Sequence, residues 1–259
     1  MSIDFDLDEH GIAVITINRP DKLNAMDTEH YVGLTAAWIR VRDDDDVRVA
    51  IVTGAGEKAF TVGADIKTFL RAKVPMADIW KTQNDMLLNR GIELWKPVIA
   101  AINGFALGGG VTLMLATDIR VACAGATFNL AEVKRGVLAA NGGTQRLVQQ
   151  LPYAIAMELL LTGDTITAAQ AERWGLINQI VPEPADVMPA AMAYARRIAE
   201  NAPLSVQATK ELAIRSRDLP LASGIRMESL SARMLTFTED AAEGAAAFSE
   251  KRKPRFKGK

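Results

Sequence analysis

Apolar positions along this chain follow two periods. Short β-branched runs stand at Ile12–Asn18 (IAVITIN), Val47–Thr53 (VRVAIVT), Val98–Ile102 (VIAAI), Ile119–Cys123 (IRVAC) and Leu176–Val181 (LINQIV). Most are stopped by Gly, Pro or Asn, the pattern of short buried strands. Between several of them the spacing becomes helical: Thr28–Arg42 follows an N-cap at Asp27 or Thr28, and Met76–Trp95 carries apolar residues near a helical period. Strands alternating with helices predict an α/β sheet in the first two-thirds of the chain.

After Gly142 the texture changes. Gln145–Leu151, Ile155–Leu161, Ala168–Trp174, Ala185–Asn201, Leu204–Arg217, Leu221–Thr236 and Glu239–Lys251 read as helices broken by Pro, Gly or Asn, with the 176–181 strand as their one interruption. The chain divides into an α/β core over 1–195 and a helical C-terminal region over 196–259. No linker is rich enough in Gly, Ser or Pro to suggest free-swinging domains, and no internal repeat is visible.

Composition narrows the class. The 259 residues are 49% hydrophobic and 24% charged, enough apolar material for a sizeable core. Thirty basic against thirty-one acidic residues leave a net charge of −1, so no global field draws the chain to nucleic acid or anionic lipid. One cysteine, Cys123, and two histidines exclude an internal disulfide and a structural zinc site; a cytoplasmic location is expected. Residues 1–11 are acidic and alternating, opposite in sign to a secretory leader. The longest apolar stretch, Gly104–Ala116, is too short to span a bilayer and is broken by glycines. The aspartates of Asp43–Asp46 read as a solvated loop, and the basic tail KRKPRFKGK (251–259) as a solvated terminus. No metal site is expected.

Three segments carry candidate chemistry. Lys58–Lys67 (KAFTVGADIK) follows a strand; Asn103–Gly110 (NGFALGGG) runs from a strand into the helical stretch Val111–Ala116; Phe128–Gly136 (FNLAEVKRG) precedes Gly142–Leu147 (GGTQRL). Successive glycines at a helix start allow close backbone approach and leave N–H donors pointing outward. The run lacks the Lys-Ser/Thr of a P-loop and the G-x-G-x-x-G of a dinucleotide fold. Its alternative uses are an oxyanion hole or tight helix–strand packing. The turn at Gly63-Ala64 offers a second donor, the N–H of Ala64. Glu132, among Leu130, Ala131 and Val133, suits proton transfer if partly buried; otherwise it is a solvent-facing residue of a short helix.

Together these segments resemble the enoyl-CoA hydratase/isomerase (crotonase) family over essentially the whole chain. The likeness runs through Asn18-Arg19-Pro20, Asn24-Ala25-Met26, Val52-Thr53-Gly54, Phe60, Gly63-Ala64-Asp65, Lys96–Gly104, Gly108–Gly110 and Gly142–Leu147. It continues through Leu161-Thr162-Gly163 and Trp174–Asn178 to Phe248 and Lys251-Arg252. The resemblance implies a spiral of ββα units with a helical C-terminal trimerisation region, assembled as a trimer or a dimer of trimers. It implies an acyl-CoA thioester substrate with no separate cofactor, and enolate stabilisation by the amides of Ala64 and Gly109. It implies a CoA arm along Lys22–Met26 (Lys22, Ala25, Met26) and along Gly63, Asp65, Ile66 and Lys67. Gly108 and Gly110 flank the donor, and Phe248 and Lys251 are candidates from a C-terminal helix, from this subunit or a neighbour.

The acid/base pair departs from the family's pattern. Glu132 matches one of the two glutamates that hold the attacking water in hydratases of the family, but the other falls on Thr112. A hydroxyl can hold water yet cannot act as a general base at neutral pH. Asn141 can orient a water or a carbonyl and likewise takes no proton. Enoyl-CoA hydration is placed first, supported by the likeness of Glu239–Gly244 and Phe248–Arg252 to carnitinyl-CoA dehydratase-like members. Isomerisation of a 3-enoyl-CoA through the single Glu132 is the alternative. A non-catalytic family member holding RNA or CoA is the second alternative, disfavoured by the charge balance and by a basic cluster confined to the tail.

Overall fold

Apolar runs too short to cover themselves must share a sheet, and here they share one of six strands. The computed structural model describes residues 2–69 and 87–259. Its strands in chain order begin with β1 (Ile3–Leu7), β2 (Ile12–Ile17), β3 (Val49–Gly54), β4 (Ala59–Thr61) and β5 (Val98–Ile102). They continue with β6 (Phe105–Leu107), β7 (Ile119–Cys123), β8 (Thr127–Asn129), β9 (Ile166–Thr167) and β10 (Gln179–Val181). The large sheet has the order β1-β2-β3-β5-β7-β10. It is parallel except at β1, which runs antiparallel to β2 with Ile3 opposite Ile17. Every residue of β3 and β5 is buried, which is why they read as unbroken apolar runs rather than alternating ones.

A second sheet, ordered β4-β6-β8-β9, is built of much shorter strands. Each of β3, β5 and β7 leaves the first sheet, turns, and enters the second as β4, β6 or β8. A helical segment follows each time: α2 (Ile66–Phe69), α3 (Gly109–Met114) and a 3-10 turn at Ala131–Arg135. This is a spiral of ββα units. The units begin at residues 49, 98 and 119, steps so uneven that no sequence period could reveal them. Buried amides lace the sheet switches: Asn103 Nδ2 donates to Gly54 O (2.8 Å) and Asn24 Nδ2 to Ala59 O (2.7 Å).

Helices cover the sheets. α1 (Thr28–Asp43) starts at Asp27, whose carboxylate accepts the His30 N–H, and buries Leu34, Trp38 and Val41. After α4 (Gly143–Gln150), α5 (Tyr153–Thr162) and α6 (Ala168–Arg173), α7 (Pro184–Ala199) lays Val187, Ala191, Ala195 and Ala199 against β3, β5 and β7. Small side chains at that spacing let the helix lie close to the sheet. α8 (Pro203–Arg215) and α9 (Leu221–Leu235) pack on each other and bury no residue of their own; α10 (Glu239–Glu250) completes the chain. Arg120, fully enclosed, donates to the carbonyls of Met114, Leu176 and Thr117 at 2.8–3.0 Å and so ties down the C-terminal end of α3. Burial pushes its pKa down to about 10, which leaves it a cation at neutral pH.

The structure corrects several expectations. Residues 87–95 form bridges and turns instead of the end of a helix, and 76–86 lie outside the described residues. The strand expected at Leu176–Val181 begins at Gln179, because Leu176 O and Asn178 Oδ1 are taken by Arg120. β9 is a second strand within the helical half, and β1 arises from the acidic, alternating start of the chain. The basic tail is anchored: Arg48 holds Phe256 O, Asp240 accepts the N–H groups of Lys257 and Gly258, and Glu243 pairs with Arg252. At Asp43–Asp46, the ammonium of the buried Lys96 donates to Asp44 O at 2.6 Å.

Candidate active site

Because β4, β6 and β8 are adjacent and parallel, their C-terminal ends open on one edge. The chain leaves β4 through Gly63, β6 through Gly108 and β8 through Leu130. Gly63 (φ +82°) and Gly108 (φ +52°, ψ −115°) have backbones that side-chain-bearing residues avoid. A Cβ on Gly63 would also stand 2.5 Å from the nitrogen of Gly109.

That contact brings two amides together. Met26 and Ala64 form a parallel bridge in which Met26 N–H donates to Gly63 O and Asp65 N–H to Met26 O, both at 2.8 Å. In such a bridge the middle residue's own N–H points away from its partner strand, so Ala64 N–H is directed away from Met26. A Cβ on Gly109 would lie 3.5 Å from Ala64 N. Gly109 opens α3, where no intrahelical acceptor exists for its N–H. Neither amide donates to an acceptor among the described residues. Gly110, the next residue, is buried where a Cβ would collide with Thr61 O.

The third strand end supplies the acid. Glu132 sits on the 3-10 turn Ala131–Arg135, with Oε1 about where a Cβ on Gly108 would touch it, at 3.4 Å. Its Oε2 is buried with no hydrogen-bond partner. Burial raises the carboxyl's pKa, and the nearby Arg135 only partly opposes this. A carboxylate so placed gains by taking a proton. Thr112 is buried one turn into α3; its Oγ1 is 3.3 Å from Gly108 O and 2.9 Å from where a Cβ on Gly143 would stand. Asn141 (φ +55°) holds its loop through its carbonyl, which accepts from Arg146 Nη1 at 3.1 Å.

The structure brings Ala64, Gly109, Gly108, Gly110, Gly63 and Glu132 to one edge and sets Thr112 beneath it. Met26 joins them as the bridge partner of Ala64; Ala25 is half-buried, its carbonyl held by Arg19 at 3.2 Å. Lys22, Ile66 and Lys67 lie exposed beside them. The Asp65 carboxylate is engaged by Arg19 Nη1 (3.1 Å) and the Lys67 N–H (3.0 Å), so within the chain it shapes the turn. Phe248 (89% exposed) and Lys251 end α10, whose following tail is fastened to Arg48 at the start of β3. Within one subunit, therefore, no described bond joins these two residues to the amide pair. A cleft of about 1320 Å³ lies beside that tail and is lined by residues such as Arg48, Glu200 and Phe256; it contains none of the strand-end residues. Sequence reasoning missed the part played by Arg19, visible only as a motif residue until its contacts are known.

A family model described as enoyl-CoA hydratase/isomerase matches residues 8–259. The chain belongs to the enoyl-CoA hydratase/isomerase family. Within it, the chain is 45% identical to (E)-benzylidenesuccinyl-CoA hydratase of Thauera aromatica and 41% identical to carnitinyl-CoA dehydratase of Salmonella arizonae, with 100% of each chain covered in both cases. Among solved structures, enoyl-CoA hydratase EchA1 from Mycobacterium marinum superposes with a TM-score of 0.91 at 38% identity, covering 100% of this chain and 99% of that one. The enoyl-CoA hydratase from Mycobacterium tuberculosis gives the same TM-score and identity. The ββα spiral is thus the enoyl-CoA hydratase/isomerase fold, and the resemblance read from the sequence is borne out.

Proposed function

We propose that this chain is an enoyl-CoA hydratase-type lyase that adds water to a 2-enoyl-CoA thioester, with Ala64 and Gly109 as oxyanion donors and Glu132 as the proton carrier. The observation that carries it is the Glu132 carboxylate packed on Gly108 with its buried Oε2 unpartnered, beside two amides that have no acceptor among the described residues. Glu132 takes a proton from water as the oxygen bonds to C3. The C2–C3 π electrons move toward the thioester, whose oxygen gains charge against the two N–H groups. Glu132 then returns the proton to C2, so one water is added and no charge is left over. The reaction so written balances with water and thioester alone, and it requires no resident cofactor or metal. Thr112 holds the water without titrating. The hydratase and dehydratase relatives support this direction of chemistry.

The second reading, 3,2-enoyl-CoA isomerisation, is favoured by one observation: Thr112 stands where a second carboxylate would be needed for a two-acid hydratase. There Glu132 would remove a proton from C2 and deliver it to C4. A screen of 2-enoyl- and 3-enoyl-CoA thioesters with product identification, run on the wild type and Glu132→Gln, separates the two. Hydrated product from the wild type and turnover lower by about 10²–10⁴-fold in the variant are expected; an active Glu132→Gln enzyme refutes the assignment.

The substrate-binding assignments follow the same reading. Lys22 and Lys67 are free among the described residues to meet CoA phosphates, with Ala25, Met26 and Ile66 lining the arm and Asn141 facing the acyl end. Self-association through residues 196–259, as a trimer or a dimer of trimers, is supported by apolar side chains left uncovered on α9 and beyond it, including Leu221, Met234 and Phe237. In such an assembly Phe248 and Lys251 would reach a neighbour's site. Sedimentation analysis tests this, and a monomer at micromolar concentration would refute it. No helix among the described residues is long and apolar enough to cross a membrane; a cytoplasmic location remains part of the proposal.

A further inference from the structure

Arg19 takes part in none of the steps above, yet its guanidinium stands where two parts of the molecule meet. One nitrogen, Nη1, lies 3.1 Å from Asp65 Oδ2, 3.2 Å from Asp27 Oδ2 and 3.2 Å from Ala25 O. Its main chain is pinned as well: Arg19 N–H donates to Asn24 Oδ1 at 3.0 Å, and Arg19 O accepts from Lys22 and Asn24.

The two aspartates differ in how firmly they are held. Asp27 caps α1, a sixteen-residue helix whose Leu34, Trp38 and Val41 are in the core, and its Oδ1 also meets Nδ1 of the buried His30 at 2.7 Å. Asp65 follows Ala64 directly and precedes α2, whose first residues Ile66, Lys67 and Thr68 are exposed. Among the described residues, the bridge to Met26 and the ion pair to Arg19 join the Ala64–Asp65 turn to the rest of the chain.

We infer that Arg19 is a positioning residue for the Ala64 amide, carrying the rigidity of the core-packed helix α1 through Asp27 to Asp65 and so to the N–H that faces the substrate oxygen. The catalytic meaning rests on the hydratase reading above; the structural link from Arg19 to the Ala64 turn stands apart from it.

Since all three contacts converge on one nitrogen, a lysine ammonium with three N–H groups can replace the guanidinium, whereas methionine cannot. In Arg19→Met, kcat on the best enoyl-CoA substrate is expected to fall by about 10²-fold, the effect of a displacement near 1 Å at a reacting group. Affinity for free CoA, which has no thioester oxygen to place, should fall by less than kcat does, because a shifted turn weakens contacts along the CoA arm without abolishing them. Arg19→Lys should recover most of the lost kcat. Hydrogen exchange by mass spectrometry supplies a readout independent of turnover: the Met26 and Asp65 amides, bonded across the bridge, should lose protection in Arg19→Met and regain it in Arg19→Lys.

An Arg19→Met enzyme with wild-type kcat overturns the inference, as does a lysine variant no better than methionine, or CoA affinity falling in step with kcat. If Arg19→Met does not fold, Asp65→Asn decides, since it removes the charge with Arg19 intact and should lower kcat in the same sense; an unchanged rate there is fatal. Should the wild type turn over no enoyl-CoA at all, the hydratase reading fails alone. Unchanged exchange at Met26 and Asp65 would then sink the Arg19 link separately.

Discussion

The two sheets of this protein are made from the same stretches of chain and serve opposite ends. Strands β3 and β5 of the large sheet are five or six residues long, wholly buried and free of glycine except where β3 ends. Their continuations β4 and β6 have three residues each and open at once into turns with positive φ at Gly63 and Gly108. The large sheet buries apolar area; burying each Val, Leu or Ile side chain stabilises by about 1.5–3 kcal/mol. The small sheet stops early, leaving Ala64 and Gly109 with N–H groups and Glu132 with an oxygen that find no partner among the described residues. Stability gathered in one sheet offsets polar groups left unsatisfied at the end of the other.

Substitutions should separate the two. Of changes within the two sheets, the larger rate effect is expected for Gly63→Ala, where a Cβ must displace Gly109 N from 2.5 Å in a backbone that alanine disfavours. Losing one oxyanion donor lowers kcat by about 10²–10³-fold, and steady-state kinetics on a folded variant measures it. An equal change in the large sheet should act differently. Ile99→Ala, fully buried in β5, should cost about 2–5 kcal/mol in denaturant titration and leave kcat per folded molecule unchanged. A Gly63→Ala enzyme of normal rate, or an Ile99→Ala enzyme of low rate, would erase the distinction.

A moderate effect is expected on the pH profile. Burial raises the Glu132 pKa, and as the proton acceptor it must be ionised, so kcat/KM should rise with pH through a midpoint above the ordinary carboxylate value. Glu132→Gln should lose this limb. Stability has the opposite sign. Because the folded pKa is the higher one, the favourable contribution of Glu132 is complete below its unfolded pKa and is lost as pH rises through the folded one. Thermal melts of wild type and Glu132→Gln should therefore converge toward low pH and separate across that window, the wild type becoming the less stable. The smallest effect is expected for Thr112→Val, nearly isosteric but unable to hold water: hydration falls by about tenfold or less, a single neutral hydrogen bond, and isomerisation is unchanged. A collapse of hydration in that variant would make Thr112 more than a water holder.

Much of the site was legible because its residues are of rare type at a fixed place. Gly63, the glycine run Gly108–Gly110 and Glu132 are unusual after short strands, and their order along the chain marks the family. The small sheet itself was not legible, since three-residue strands such as β4 and β8 carry no period to read. Arg19 illustrates the remaining gap: nothing in Asn18-Arg19-Pro20 tells that one nitrogen will bridge aspartates at positions 27 and 65. The tail shows the reverse error, for its charge run resembled a solvated end until Arg48, Asp240 and Glu243 were found holding it.

Local sequence alone settled most of the long strands and capped helices and marked Glu132 as the candidate acid, because burial period, capping chemistry and residue type act within a few positions. Tertiary structure alone decided that the ends of β4, β6 and β8 lie on one edge, that the Ala64 amide is directed away from Met26, and that Glu132, with one buried oxygen lacking a partner among the described residues, packs on Gly108. Those facts depend on contacts between residues more than twenty positions apart, whose free energies no local window contains.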